Sequence, residues 1–251
     1  MSSRIPETAD ALISLLDALE SATDEQSIRT LGENIGVPKS TVHRLLQGLL
    51  SKGWVYQDDR TKNYSIGLRF LCQAEEWRRG LSVVRIAEAA LHDLSLQCEQ
   101  TVVLSILHKE QVLCVEKIDS LSILHIASQI GHVYPLHAGA TGKTALAYAP
   151  QMLINKVMST TLRRYTPLTT VDHLILQKQL QKIKNDGYCF TKEEVDPGVA
   201  ALAAPVLGKD HELICIVTIA GAYFYILENK QRYLELLLAT VSRLEKDFRG
   251  S

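Results

Sequence analysis

The stretch IRTLGENIGVPKSTVHRLLQGLL, residues 28–50, constrains the fold more than any other part of the chain. Ile28, Leu31 and Ile35 recur at helical spacing and predict a short helix over Ser27 to Ile35. Gly36 then supplies the permissive backbone of a tight turn, and Pro38 suits the first turn of a further helix. In that helix Val42, Leu45, Leu46, Leu49 and Leu50 form one apolar stripe, which Gly53 ends. Upstream, TADALISLLDALE carries Leu12, Leu15, Leu16 and Leu19 on one helical face. Three short helices of this kind bury their stripes only against one another, and two of them joined by a tight glycine turn form a helix-turn-helix pattern. WVYQDDRTKNYSIGL follows, two alternating runs around a polar turn from Asp58 to Asn63, and reads as a β-hairpin. Helix-turn-helix followed by hairpin predicts a winged helix. A plain helical bundle with an incidental hairpin is the competing reading.

The net charge of −1 conceals a local pattern. Residues 1–37 carry two basic and seven acidic side chains, whereas residues 38–62 carry five basic and two acidic ones, with His43 besides. A positive patch confined to one segment is what contact with a polyanion requires. Off the apolar stripe the third helix presents Lys39, Ser40, Thr41, His43, Arg44 and Gln47, with no carboxylate among them. Such a face suits the major groove of double-stranded DNA, Arg44 reaching guanine and Gln47 adenine, while Lys39, Ser40 and Thr41 suit phosphate. Arg60 and Lys62 in the hairpin turn would meet the backbone or minor groove. The competing reading is a solvated helix face.

LRFLCQAEEWRRG is a charged amphipathic helix that belongs to neither core and reads as a connector, and a helix from Val83 to Cys98 leads into the rest of the chain. There, TVVLSILH and QVLCVEKI predict a hairpin, ILHIASQ a strand, HAGATGKTALA a loop and helix, and VDHLILQKQLQKIKNDG an amphipathic helix ended by Gly187. GVAALAAPVLG and ELICIVTIAG restore strands, and a helix from Asn229 to Phe248 closes the chain on Tyr233, Leu237, Val241, Leu244 and Phe248. This mixture lacks strict β-α alternation and predicts an α+β fold with an antiparallel sheet. The expected organisation is a DNA-binding domain over 1–68, a linker helix over 69–82 and a second domain over 83–251. The longest uncharged apolar run, Leu213 to Leu227, is too short for a membrane helix and reads as buried strand. With no apolar leader in MSSRIPETAD, the expectation is a cytoplasmic protein without membrane association. Five dispersed cysteines, mostly in apolar segments, predict reduced thiols.

Gly142-Lys143-Thr144 invites comparison with a phosphate-binding loop. That motif requires glycine at 137, where this chain has His137, and the segment follows GHVYP rather than a buried strand. No metalloprotease, hydrolase-elbow or dinucleotide motif occurs, and eight dispersed histidines offer no metal site. Glu193, Glu194 and Asp196 cluster beside a turn, where acids are more often solvated or capping than catalytic. No catalytic residue, metal or cofactor is expected.

KSTVHRLLQGLLSKGWV, NYSIGLRFL, IGHVYPLHAGATGKTALA and NDGYCFTKEEVDPGVAALAAPV, in this order and spacing, resemble the signature segments of the IclR (isocitrate lyase regulator) family of bacterial transcription factors. The resemblance runs from about Ala9 to Phe248. It implies an N-terminal winged helix-turn-helix, a linker helix and a GAF-like effector-binding domain in a homodimer or dimer of dimers. It further implies a palindromic operator, a small carboxylate or sugar-acid effector, and a repressor rather than an activator of a catabolic operon. Carried over by motif, Ala140 and Thr141 offer backbone amides to an effector carboxylate, and Thr191, Ala201, Thr218 and Ala220 complete the pocket. Relatives often have an acid, cysteine and serines at these last four positions, so the departures imply a larger or less polar acid. GAYFY, residues 221–225, also departs from the family pattern. The competing function is an enzyme with a DNA-binding appendage that uses the 139–144 loop as an anion site.

Overall fold

The computed structural model describes residues 6–120 and 129–250, and the chain divides into two compact units between Arg79 and Gly80. The first unit contains α1 (Glu7–Glu20), α2 (Ile28–Ile35), α3 (Lys39–Ser51), β1 (Val55–Gln57), β2 (Tyr64–Ile66) and α4 (Leu68–Gly80). Leu15, Leu19, Leu31, Val42, Leu46, Val55 and Tyr64 form its core, so each of the first three helices contributes the stripe read from its sequence. Ser27 caps α2 by accepting from the Thr30 amide, and Gly36, at φ +70°, turns the chain left-handed after it. Pro38 sits at the N-cap of α3, one residue before the first turn expected for it.

The hairpin is the wing, and its turn is held by Asp58, whose Oδ1 accepts from the amides of Arg60 and Thr61. These bonds, the Thr61 amide foremost, hold the Asp58 carboxyl below its ordinary range. Gln26 pairs with Tyr64 through both backbone groups at 2.8 Å, which ties the α1–α2 connection to the wing as a third, one-residue strand. Gly67 packs so closely on β1 that an added Cβ would lie 2.3 Å from the Gly53 carbonyl oxygen. The connector α4 buries no side chain, and Leu71 and Trp77 stay largely exposed on it. Glu75 bonds Arg78 and Arg79 on α4, the Arg78 hydrogen bond being the larger influence, and its carboxyl is held down at about 2.

The second unit runs α5 (Ser82–Cys98), β3 (Thr101–His108), β4 (Gln111–Ile118), β5 (Val133–Tyr134), α6 (Ala140–Ala147), α7 (Gln151–Met158), α8 (His173–Asp186), β6 (Cys189–Lys192), β7 (Val199–Leu207), β8 (Leu213–Ala222), α9 (Tyr223–Glu228) and α10 (Lys230–Gly250). Its six described strands form one antiparallel sheet ordered β5-β4-β3-β8-β7-β6. Leu202, Ala204, Val217 and Ile219 pack with Leu94, Tyr233, Leu237 and Leu244 of α5 and α10. Ala203 and Ile216 pack with Leu146, Leu176 and Leu180 of α6 and α8. The sheet is thus covered on both faces, and its central strands read as continuous apolar runs because neither side meets water.

One expectation needs correction. The apolar run Leu213 to Leu227 is strand only to Ala222. Beyond it the chain turns into α9, which buries Ile226 and exposes Phe224, Tyr225 and Leu227, a change that periodicity cannot register in so short a run. The short elements β5, α7 and β6 were not anticipated. The strand expected over ILHIASQ falls, apart from Gln129, outside the described residues. Four cysteines, Cys98, Cys114, Cys189 and Cys215, are buried and Cys72 is exposed. Burial pushes the Cys114 thiol up to about 11 and Cys189 to about 12.

Replacing Gly67 with alanine forces a methyl group into the β1 backbone, where no flexible side chain can yield. Gly67→Ala is expected to destabilise the first unit by about 2 kcal/mol. Thermal unfolding followed by Trp54 fluorescence checks this, and an unchanged midpoint contradicts the close approach.

Candidate effector cavity and nucleic-acid interface

On α3 the stripe Val42 and Leu46 turns inward, which leaves Lys39, Ser40, His43, Arg44 and Gln47 exposed and Thr41 half-buried. Among the described residues the side chains of Lys39, His43, Arg44 and Gln47 make no hydrogen bond or ion pair, so their donors are not already spent. Arg60 and Lys62 are exposed at the tip of the wing, and Lys62 stands 3.7 Å from the solvated Asp59. Exposed pairs of this kind are worth little and exchange readily for another anion.

In the second unit the β-pleat places Ala201 on β7 opposite Thr191 on β6 and opposite Ala220 on β8, with Thr218 two residues from Ala220 on the same face. Ala140 and Thr141 open α6 against that face. All six residues line one cavity of about 80 Å³, together with Val103, His132, Tyr134, Gly142, Glu194, Asp196 and others. Thr141 and Thr218 bond each other through their hydroxyls at 2.9 Å. Thr191 is buried and, among the described residues, makes no side-chain hydrogen bond, so its hydroxyl faces the cavity uncommitted.

The approach of α6 is set by two glycines. Gly139, at φ +77°, is its N-cap, and a Cβ on Gly142 would lie 1.8 Å from the Pro135 carbonyl oxygen. Every residue of α6 is buried, Lys143 included. Lys143 does not line the cavity. Its Nζ donates to Glu194 Oε1 at 2.6 Å and to Thr170 Oγ1 at 3.3 Å, while Glu194 Oε2 accepts from the Gly139 amide. A phosphate-loop lysine must be free to reach the anion at its helix start, and this one is engaged elsewhere.

Sequence reasoning passed over Glu194, His132 and Tyr134 as cavity residues. Of the acids expected to be solvated or capping, Glu193 is a cap, accepting from the Gly198 amide, but Glu194 is turned inward with its side chain 11% exposed. The available signal was Lys143, since a lysine in a helix of small and apolar residues requires a counter-ion. His132 and Tyr134 stack edge to face beside the cavity, and nothing in their spacing announced it.

No cluster of three or more metal-ligating side chains occurs among the described residues, and no described helix is long and apolar enough to cross a membrane. A winged helix-turn-helix joined to an α+β unit with a partly open cavity defines a ligand-responsive, DNA-binding transcriptional regulator. The chain belongs to the IclR family. The family's helix-turn-helix domain matches residues 8–59, and the C-terminal domain of bacterial IclR transcriptional regulators matches residues 78–246. The transcriptional regulator KdgR of Dickeya chrysanthemi is 26% identical over 248 residues, covering 98% of this chain and 81% of that protein. The transcriptional repressor AllR of Escherichia coli K12 is 27% identical over 220 residues, covering 87% and 81%. An IclR homologue of Microbacterium hydrocarbonoxydans, solved with 4-hydroxybenzoate, shares the fold at a TM-score of 0.84 and 20% identity over 98% of this chain and 100% of that one. An IclR regulator of Alicyclobacillus acidocaldarius does so at 0.81 and 23%, over 97% and 99%.

Thr141→Val leaves the buried Thr218 hydroxyl without its partner and is expected to cost about 1–2 kcal/mol in urea unfolding. The double variant Thr141→Val/Thr218→Val should recover most of that loss, and additive losses would show that the two hydroxyls are not coupled.

Proposed function

We propose that this protein is a cytoplasmic repressor of a catabolic operon that binds a palindromic operator as a homodimer or dimer of dimers and responds to an organic acid. In this reading residues 1–68 bind DNA, 69–82 link, and 83–251 sense the effector. Lys39, Ser40, Thr41, His43, Arg44 and Gln47 face the major groove, Arg44 reading guanine and Gln47 adenine, and Arg60 and Lys62 of the wing hold the backbone. The observation that carries the DNA half is the carboxylate-free, uncommitted donor face of α3. Two-fold symmetry then pairs two such faces on two half-sites, and the exposed Leu71 and Trp77 of α4 offer apolar surface to a second copy.

The effector half rests on the cavity at the start of α6. The first turn of a helix leaves amide groups without intrahelical partners and carries positive potential, which suits a carboxylate at Ala140 and Thr141. Thr191, Ala201, Thr218 and Ala220 then receive the body of the acid, and their small, weakly polar side chains favour a bulkier or less polar acid over a two-carbon one. The 4-hydroxybenzoate bound by the Microbacterium homologue is an acid of that kind. In this reading the protein senses the acid without transforming it, and the lysine of the loop, Lys143, is committed to Glu194. The acid can shift operator binding only by binding the DNA-competent and incompetent states unequally.

Arg44→Ala is expected to weaken operator binding by roughly ten- to a hundredfold while leaving thermal stability and acid binding intact. Wild-type affinity in an electrophoretic mobility shift would move the reading helix elsewhere. In a thermal-shift panel 4-hydroxybenzoate should stabilise the protein more than glyoxylate does, because a ligand that binds only the folded state raises the unfolding temperature. Equal shifts would refute the size preference.

A further inference from the structure

Glu194 presents a puzzle that the proposed acid site sharpens. A carboxylate lines the cavity that is to receive an anion, and it accepts from the amide of Gly139, next to the amides assigned to the ligand. Alone, it would repel the ligand through a medium that screens poorly. It is not alone. The Lys143 side chain, 2% exposed, is not part of the cavity lining and closes on Glu194 Oε1 at 2.6 Å. Gly139 is held through its N–H by Glu194, and its carbonyl accepts the first backbone bond of α6 from the Lys143 amide, as any helix start does. Thr170 takes a further donor of the ammonium. Thr191, whose hydroxyl is uncommitted among the described residues, lines the same cavity. Asp196, the other acid on the lining, is exposed, and its charge is screened by water.

We propose that Lys143 is a positioning residue for acid recognition: without touching the ligand it neutralises Glu194, and the neutral pair fixes the Gly139 turn so that the helix start receives a carboxylate. This rests on the reading that the effector is an acid held at the start of α6. It assigns the lysine of HAGATGKTALA a task that is neither phosphate binding nor simple filling of the core.

A charge role and a merely structural role differ in sign. Calorimetry at pH 6 with 4-hydroxybenzoate and its uncharged counterpart 4-hydroxybenzamide separates them. Lys143→Met leaves Glu194 uncompensated and is expected to weaken benzoate binding by roughly tenfold or more. Glu194→Gln leaves the cation in excess and is expected to tighten it. Benzamide affinity should stay within about twofold in both. The neutral double variant Lys143→Met/Glu194→Gln keeps a carbonyl acceptor for Gly139 and should bind benzoate within roughly threefold of wild type. If Lys143→Met does not fold, the single Glu194→Gln and the double variant decide by the same criteria. Weaker benzoate binding by Glu194→Gln, or parallel losses for benzoate and benzamide, overturns the charge role and leaves the acid reading standing. Failure of the wild-type protein to prefer benzoate over benzamide overturns the acid reading, and this inference falls with it.

Discussion

A lysine with 2% of its side chain exposed must meet a counter-charge, and the loops around the cavity are arranged by that requirement. Breaking such a pair strands a buried charge, at a cost of about 3–5 kcal/mol, whereas the intact pair itself adds little net stability. Its value lies in geometry. Glu194 has to be delivered to Lys143 from the connection between β6 and β7, and that connection is fastened where the charge demands it. Thr166 and Thr169 donate their hydroxyls to the carbonyls of Glu193 and Glu194 at 2.6 Å each, and Glu193 caps Gly198. One ion pair therefore ties α6, the segment before α8 and the β6–β7 connection into a single wall.

The opposite wall is set by the pleat. On β7 and β8 alternate residues face α5 and α10, where Leu202, Val206, Val217 and Ile219 fill a core together with Ala200, Ala204 and Cys215. The positions between them face α6 and shrink to Ala201, Thr218 and Ala220 where the cavity opens, then return to Ile216 where packing resumes. The cavity is the place where small side chains on two neighbouring strands meet a helix start held in by Gly142. No other device is needed to make it, and its shape follows from side-chain volume at alternate positions.

Much of the first unit was legible because each helix carries its own stripe and its own punctuation, Ser27 and Gly36 around α2 and Pro38 and Gly53 around α3. The second unit was legible wherever an element was long enough to show its period. It was opaque where elements are short: β5 has two residues, and α9 continues an apolar run already assigned to β8. The cavity residues proposed from the family resemblance fall on one surface, yet the neighbours Glu193 and Glu194 could not be told apart, because which of two adjacent acids turns inward depends on a lysine some fifty residues away. His132 and Tyr134 escaped for a similar reason, since their stacking depends on how the chain enters β5.

The two functional surfaces differ in what they leave unspent. On α3 the donors stand in solvent with no acidic neighbour on the same face, and in the proposed reading this is the surface that meets phosphate and base edges. Several polar groups of the cavity are already matched: Thr141 with Thr218, and Glu194 with the Gly139 amide and with Lys143 behind the lining. Among the described residues the helix start and the Thr191 hydroxyl remain unmatched beside the solvated Asp196, so a ligand has to fit those places well. Selectivity in such a site comes from what its neighbours have already satisfied, and on the proposed reading a residue outside the lining, Lys143, sets the charge the ligand meets.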